Sequence, residues 1–175
     1  VTDTEIVIGD ILPLTGPPAL LGVAHNLGVK AAVAEANAAG GINGRKLRLI
    51  SEDDGYVPSR TIQGVRKLIN SDKVFALTSV SGTAQAQAAM PLIQQAGLPA
   101  MAPITTFEGL YRPVIKNVYA VGYDMTDAVD ELVSRMATRY PGKKWALISQ
   151  DDDYGENVRA GFERAAKAKK LQVVS

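Results

Sequence analysis

The stretch VFALTSVSGTAQAQAAMPLIQQ, residues 74–95, holds a strand, a loop and a helix in immediate succession. Residues 74–77 form a short apolar run of strand type, and residues 83–95 carry helix-forming side chains. Between them, Thr78-Ser79-Val80-Ser81-Gly82-Thr83 supplies hydroxyls and one glycine at the helix start. Pro91 falls inside that helix, where its missing N–H predicts a kink. The same unit repeats outward in both directions. Strands are predicted at residues 6–8, 47–50, 100–102, 118–121, 145–148 and 171–174. Helical faces are predicted from Ile62, Val65, Leu68 and Ile69, from Val129, Leu132, Val133, Met136 and Tyr140, and from Val158, Phe162, Ala165 and Ala166. Near-continuous apolar strands separated by helices predict an α/β fold with a doubly wound parallel sheet covered on both faces.

Residues 23–39 are alanine-rich with apolar positions nearly all round, which predicts a helix packed tightly on several sides. Gly40-Gly41-Ile42-Asn43-Gly44 ends it as a cap and a tight turn. Pro103, Gly109 and Pro113 interrupt the periodicity, and Thr105 with Glu108 has the spacing of a capping box for a short helix. Residues 1–117 are therefore expected to form a first lobe, and residues 118–175 the beginning of a second. The last strand, running up to Ser175, would be left uncovered, the expectation for part of a longer chain.

The 175 residues include 19 Lys and Arg against 18 Asp and Glu, a formal net charge of +1. No basic run is longer than a pair, so nucleic acid and anionic membranes are not expected partners. Zero cysteines and a single histidine, His25, remove thiol nucleophiles, disulfides and His-rich metal sites. The chain lacks the glycine patterns that cradle nucleotide phosphates, and no Gly-x-Ser-x-Gly elbow occurs. These absences predict no enzyme, no cofactor and no metal.

In such sheets ligands sit beyond the carboxyl ends of the strands, near helix N-termini whose free amides favour anions. Residues 78–83 suit a carboxylate on that ground, and suit plain N-capping by Ser81 or Thr83 equally. Asp53 and Asp54 are expected to cap helices or pair with neighbouring amides, Asp151-Asp152-Asp153 to form a solvated loop or cap, and His25 to have a surface or packing role. A receiver-like phosphoryl acceptor built on Asp10, Asp53 and Thr78 is the competing class, and a ligand-sensing receptor lobe a third.

Several segments carry a resemblance in order along the chain. They are Ile8-Gly9-Asp10, Thr15-Gly16-Pro17, residues 35–47 with their Asn-x-x-Gly-Gly-Ile-x-Gly core, Asp53-Asp54, Gly97-Leu98-Pro99 and Tyr154-Gly155-Glu156. The chain resembles the amino-terminal part of periplasmic solute-binding proteins of the leucine/isoleucine/valine-binding ABC importer family. The resemblance implies a type I periplasmic-binding-protein lobe followed by the start of a similar one, closing on a small ligand between them. It also implies no catalysis, an extracytoplasmic location after signal-peptide removal, and a membrane permease as partner.

Carried over residue by residue, it places Thr83, with Ser81 and Gly82 before it, on the ligand carboxylate through hydroxyl and amide. Ile104 falls where a backbone carbonyl accepts from a ligand ammonium, Thr106 where a second hydroxyl meets the carboxylate, and Tyr154 where an aromatic closes over the ligand. Leu21 departs from the pattern by making aliphatic a wall that amino-acid binders tend to make aromatic. A small carboxylated ligand is expected, a hydrophobic amino acid or an aromatic acid.

Overall fold

The computed structural model describes residues 1–174, so Ser175, the expected end of the last strand, lies outside the described residues. Seven strands and five α-helices alternate along it. β1 (Glu5–Leu12), α1 (Ala19–Ala38), β2 (Lys46–Asp53), α2 (Pro58–Asn70), β3 (Ala76–Val80), α3 (Thr83–Gln95) and β4 (Ala100–Met101) come first. A 3₁₀ turn (Glu108–Leu110) follows, then β5 (Val118–Tyr119), α4 (Met125–Arg139), β6 (Lys144–Trp145), α5 (Asp153–Lys169) and β7 (Gln172–Val173). The five-stranded sheet has the order β2-β1-β3-β4-β5, and β6 pairs with β7; every pairing is parallel.

The chain divides into two compact units. The first comprises residues 1–105 and 115–121, the second residues 106–114 and 122–175. β5, expected to open a second series, is the fifth strand of the first unit's sheet, with Met101 opposite Tyr119.

β1 shows why the first sheet is doubly wound. Gly9 lies against Leu68 and Val74, and the Ile11 side chain reaches Gly64 of α2. Asp10, pointing to the opposite face, meets Asn26 of α1. Successive residues of one strand thus serve helices on opposite faces. The first unit's core is Ile11, Leu12, Val65, Leu68, Leu77, Val80, Ala86, Ala89 and Ile93. In the second unit Val133, Phe162, Ala165 and Ala166 are buried, with Val129, Trp145, Leu147 and Leu171 packed on them. Gly161 permits the close contact of α5 with α4, since a side chain there would strike the Thr126 carbonyl and Val129.

Three local expectations are corrected. α1 is not packed on several sides: only Gly22 and Asn26 are buried, while Leu20 and Leu21 are 81% and 71% exposed. Its apolar residues are spread around the axis, so one flat sheet cannot cover them, and polar side chains hold it instead. Asn26 Nδ2 donates to Asp10 at 3.1 Å and to Ser51 at 2.6 Å, while Asn37 exchanges two hydrogen bonds with the backbone of Leu47. Secondly, the capping box does not form, because the 3₁₀ turn starts at Glu108 with Phe107 as its N-cap, which leaves Thr105 two residues too early to cap it; the Thr105 hydroxyl meets that of Thr83 instead. Thirdly, Ser81 and Thr83 do not cap α3; its N-cap is Gly82 in a left-handed conformation, φ +96°. α3 runs on through Pro91 to Gln95.

Candidate functional site

The carboxyl edge of the first unit's sheet is built by loops tied to one another. Asp53, at the end of β2, accepts from the amides of Leu14 at 2.9 Å, Thr15 at 3.2 Å and Gly55 at 2.9 Å, and from the Thr15 hydroxyl at 2.6 Å. Burial opposes its charge, but these donors, the Thr15 hydroxyl foremost, hold its carboxyl below the usual range. Asp54 accepts from the Tyr56 amide at 2.9 Å and the Thr61 hydroxyl at 2.7 Å, and burial pushes its carboxyl up. Two adjacent carboxylates thus clamp two loops. The pairing expected of them with neighbouring amides is what they do.

Beside them β3 runs to Val80, beyond the strand end expected at Leu77, and Ser81 after it bridges to Ile104. The Gly82 amide donates to the Ile104 carbonyl at 3.1 Å and the Ile104 amide to the Val80 carbonyl at 2.9 Å. A carbonyl has two lone pairs, so Ile104 keeps one for another donor. Thr83 opens α3, is 2% exposed, and its hydroxyl lies 2.8 Å from that of Thr105. One of the two donates to the other, and the accepting hydroxyl retains a proton to give elsewhere. The first-turn amides of α3 have no intrahelical acceptor and carry the positive end of the helix dipole. A buried hydroxyl pair beside them is suited to a carboxylate.

Ser81, Gly82, Thr83 and Ile104 are therefore brought together. Leu21 sits in the first turn of α1 with its side chain exposed. Thr106 and Tyr154 belong to the second unit. There the Thr106 carbonyl accepts from the Met125 amide at 2.8 Å, and its methyl packs against Gly122. Tyr154, half-buried in the first turn of α5, directs its hydroxyl to Met125 Sδ at 4.0 Å. Asp152 caps that helix by accepting from the Gly155 amide at 2.9 Å.

Sequence reasoning missed Thr105 and Tyr56. The signal for Thr105 was its hydroxyl beside Thr106, obscured by the capping-box spacing. Tyr56 gave no signal, because its placement depends on a left-handed backbone, φ +65°.

The receiver-like grouping is not assembled. Asp10 is fully buried beneath α1, Asp53 is taken up by loop amides, and the Thr78 hydroxyl donates to the Gly9 carbonyl at 3.2 Å. His25 is half-buried and bonded to the Ser79 hydroxyl. Among the described residues no three His, Asp or Glu side chains converge to hold a metal, and no helix is long and apolar enough to cross a membrane.

Residues 5–175 match the sequence pattern of the family described as periplasmic binding protein. The chain is 31% identical over 180 residues to Leu/Ile/Val-binding protein homolog 7 of Brucella suis, an alignment covering 97% of this chain and 44% of that protein. It superposes on a substrate-binding periplasmic protein from Ralstonia solanacearum with a TM-score of 0.87 and 29% identity, over 98% of this chain and 48% of that one. A solute-binding protein of an ABC transporter from Rhodopseudomonas palustris, solved with 3,4-dihydroxybenzoic acid, has a TM-score of 0.83 at 23% identity, covering 97% and 46%. The chain thus spans less than half the length of the proteins it matches.

Proposed function

The chain belongs to the periplasmic binding protein family, and from that premise we propose that it captures a small carboxylated ligand, a hydrophobic amino acid or an aromatic acid, for the permease of an ABC importer. It does so outside the cytoplasm, after removal of a signal peptide, and without catalysis. The observation that carries this reading is the buried Thr83–Thr105 hydroxyl pair at the N-terminus of α3. Its free proton and the first-turn amides would bind the carboxylate. The spare lone pair of the Ile104 carbonyl would take an ammonium, when the ligand has one.

Ser81 and Gly82 shape the turn that presents these groups. By the resemblance, Leu21 contributes aliphatic surface to the ligand, and Thr106 and Tyr154 contact it as well. The names of the Brucella and Rhodopseudomonas proteins support the two ligand types, an aliphatic amino acid and a benzoic acid.

Titration calorimetry of the protein as encoded, with leucine and with 3,4-dihydroxybenzoate, tests the site. Thr83→Ala should weaken whichever of them binds by about 1.5–3 kcal/mol, the usual loss for a hydrogen bond to a charged group. Unchanged affinity would remove the carboxylate from α3.

A further inference from the structure

We propose that Tyr56 sets the ligand class at this site, its ring being the wall that favours an aromatic carboxylate over an aliphatic amino acid. The inference rests on the carboxylate reading above and goes beyond it by naming the residue that discriminates.

The first ground is backbone strain. Tyr56 occupies the left-handed region at φ +65°, next to Gly55 at φ +55°. Glycine or asparagine enters that region readily, whereas a bulky side chain there is an outlier that persists only when its surroundings impose it. The surroundings do so here at both ends of the residue. The Tyr56 amide donates to Asp54 Oδ1 at 2.9 Å, and the Tyr56 carbonyl accepts from Gln85 Nε2 at 2.7 Å. Asp54 is itself fully buried and fixed by Thr61, and Gln85 is 2% exposed. Two buried polar side chains thus hold in place a tyrosine whose backbone conformation a smaller residue would adopt more easily.

The second ground is where the ring goes. It lies against Gly82, so closely that a side chain on Gly82 would come within 2.7 Å of ring atom Cε2. Gly82 is the residue immediately before Thr83. The strain therefore delivers an aromatic surface to the turn whose next residue carries the hydroxyl proposed to hold the carboxylate. In a benzoate the ring is joined directly to the carboxylate carbon, so anchoring that carboxylate at Thr83 and Thr105 sets the ligand ring beside the Tyr56 ring. In leucine a tetrahedral carbon bearing the ammonium intervenes, and the side chain offers no π surface.

The test compares 3,4-dihydroxybenzoate with leucine by calorimetry on wild type, Tyr56→Phe and Tyr56→Leu. An aromatic pair contributes about 0.5–1.5 kcal/mol beyond area, so Tyr56→Leu should weaken the benzoate roughly twofold to tenfold relative to leucine. Tyr56→Phe should keep the wild-type preference. A ratio of affinities that stays constant in Tyr56→Leu makes the ring a mere support for the turn and overturns the proposal.

A measurement on wild type needs no variant to fold. Nuclear Overhauser contacts between the Tyr56 ring protons and the benzoate ring protons are expected, and their absence while Thr83 methyl contacts are present overturns the assignment. If Thr83→Ala leaves both affinities unchanged, the carboxylate reading has failed, and the role of Tyr56 falls with it.

Discussion

Asp10 has one carboxylate oxygen that accepts from Asn26 and another with no hydrogen-bond partner among the described residues, although the side chain is fully buried. Burial pushes its carboxyl above the ordinary value, with Ser51 and Asn26 and the more distant charges of His25 and Lys30 pulling back. The register places Ser51 of β2 and Ser79 of β3 on either side of it. The unfolded chain therefore gives up this proton at lower pH than the folded one. Stability from this group is whole below the ordinary carboxylate value, about 3.9, and is lost as pH rises from there through the raised folded value. Asp10→Asn cannot ionise, so it should melt above wild type at pH 7.5, with the gap closing toward pH 4 in a series of thermal melts. A variant that melts lower at both pH values would mean that the charge itself holds Asn26. Legibility at this scale followed locality. Thr83 could be named because a hydroxyl at a helix start has only two local meanings, a cap or an anion contact, and the resemblance chose between them. Thr105 could not, because its partner is 22 positions away and its local spacing suggested a cap.

Among the elements, α1 departs most from its sequence reading. Its alanines and leucines indicate a helix, and 20 residues form one, but they do not say how it is attached. A helix without a single apolar stripe needs specific polar contacts to fix its rotation on a sheet, and Asn26 makes two of them, to Asp10 and Ser51. Asn26→Ala should leave both partners short of a donor under the helix and cost about 2–3 kcal/mol. A lowered urea midpoint and faster amide exchange within residues 19–38 are the expected signs. Exchange at the wild-type rate would show that α1 is held without Asn26. The long strands, by contrast, were legible in place but not in length, since only residues 6–8 and 47–50 were expected in them. β1 and β2 each run eight residues, and the apolar content of β1 reflects cover on both faces.

On the scale of the molecule, the sequence places a boundary after residue 117, whereas the two compact units exchange the chain at 105/106, 114/115 and 121/122. A two-residue strand such as β5 is too short to show a period, and its allegiance is decided by pairing with β4, which no local pattern encodes. The second unit's core was legible in α5, where Phe162, Ala165 and Ala166 repeat at helical spacing and are buried, but only in part in α4, where Leu132 and Tyr140 of the expected apolar face are exposed. It is also small, with four fully packed members, so each should count heavily. Trp145, the only tryptophan of the chain, packs on that cluster, which makes its emission a local reporter of the second unit. Truncating Phe162 to alanine removes the largest of the four side chains, and the cavity and transfer losses together should cost about 3–5 kcal/mol. The denaturation midpoint read from Trp145 emission should fall accordingly, with a red-shifted native spectrum if water reaches the indole. If the Trp145 transition in Phe162→Ala keeps its wild-type midpoint, the second unit is held by something other than this cluster. The next groups to probe would then be Arg164 and its carboxylate partners Asp127 and Asp130, at 2.6 Å and 2.7 Å.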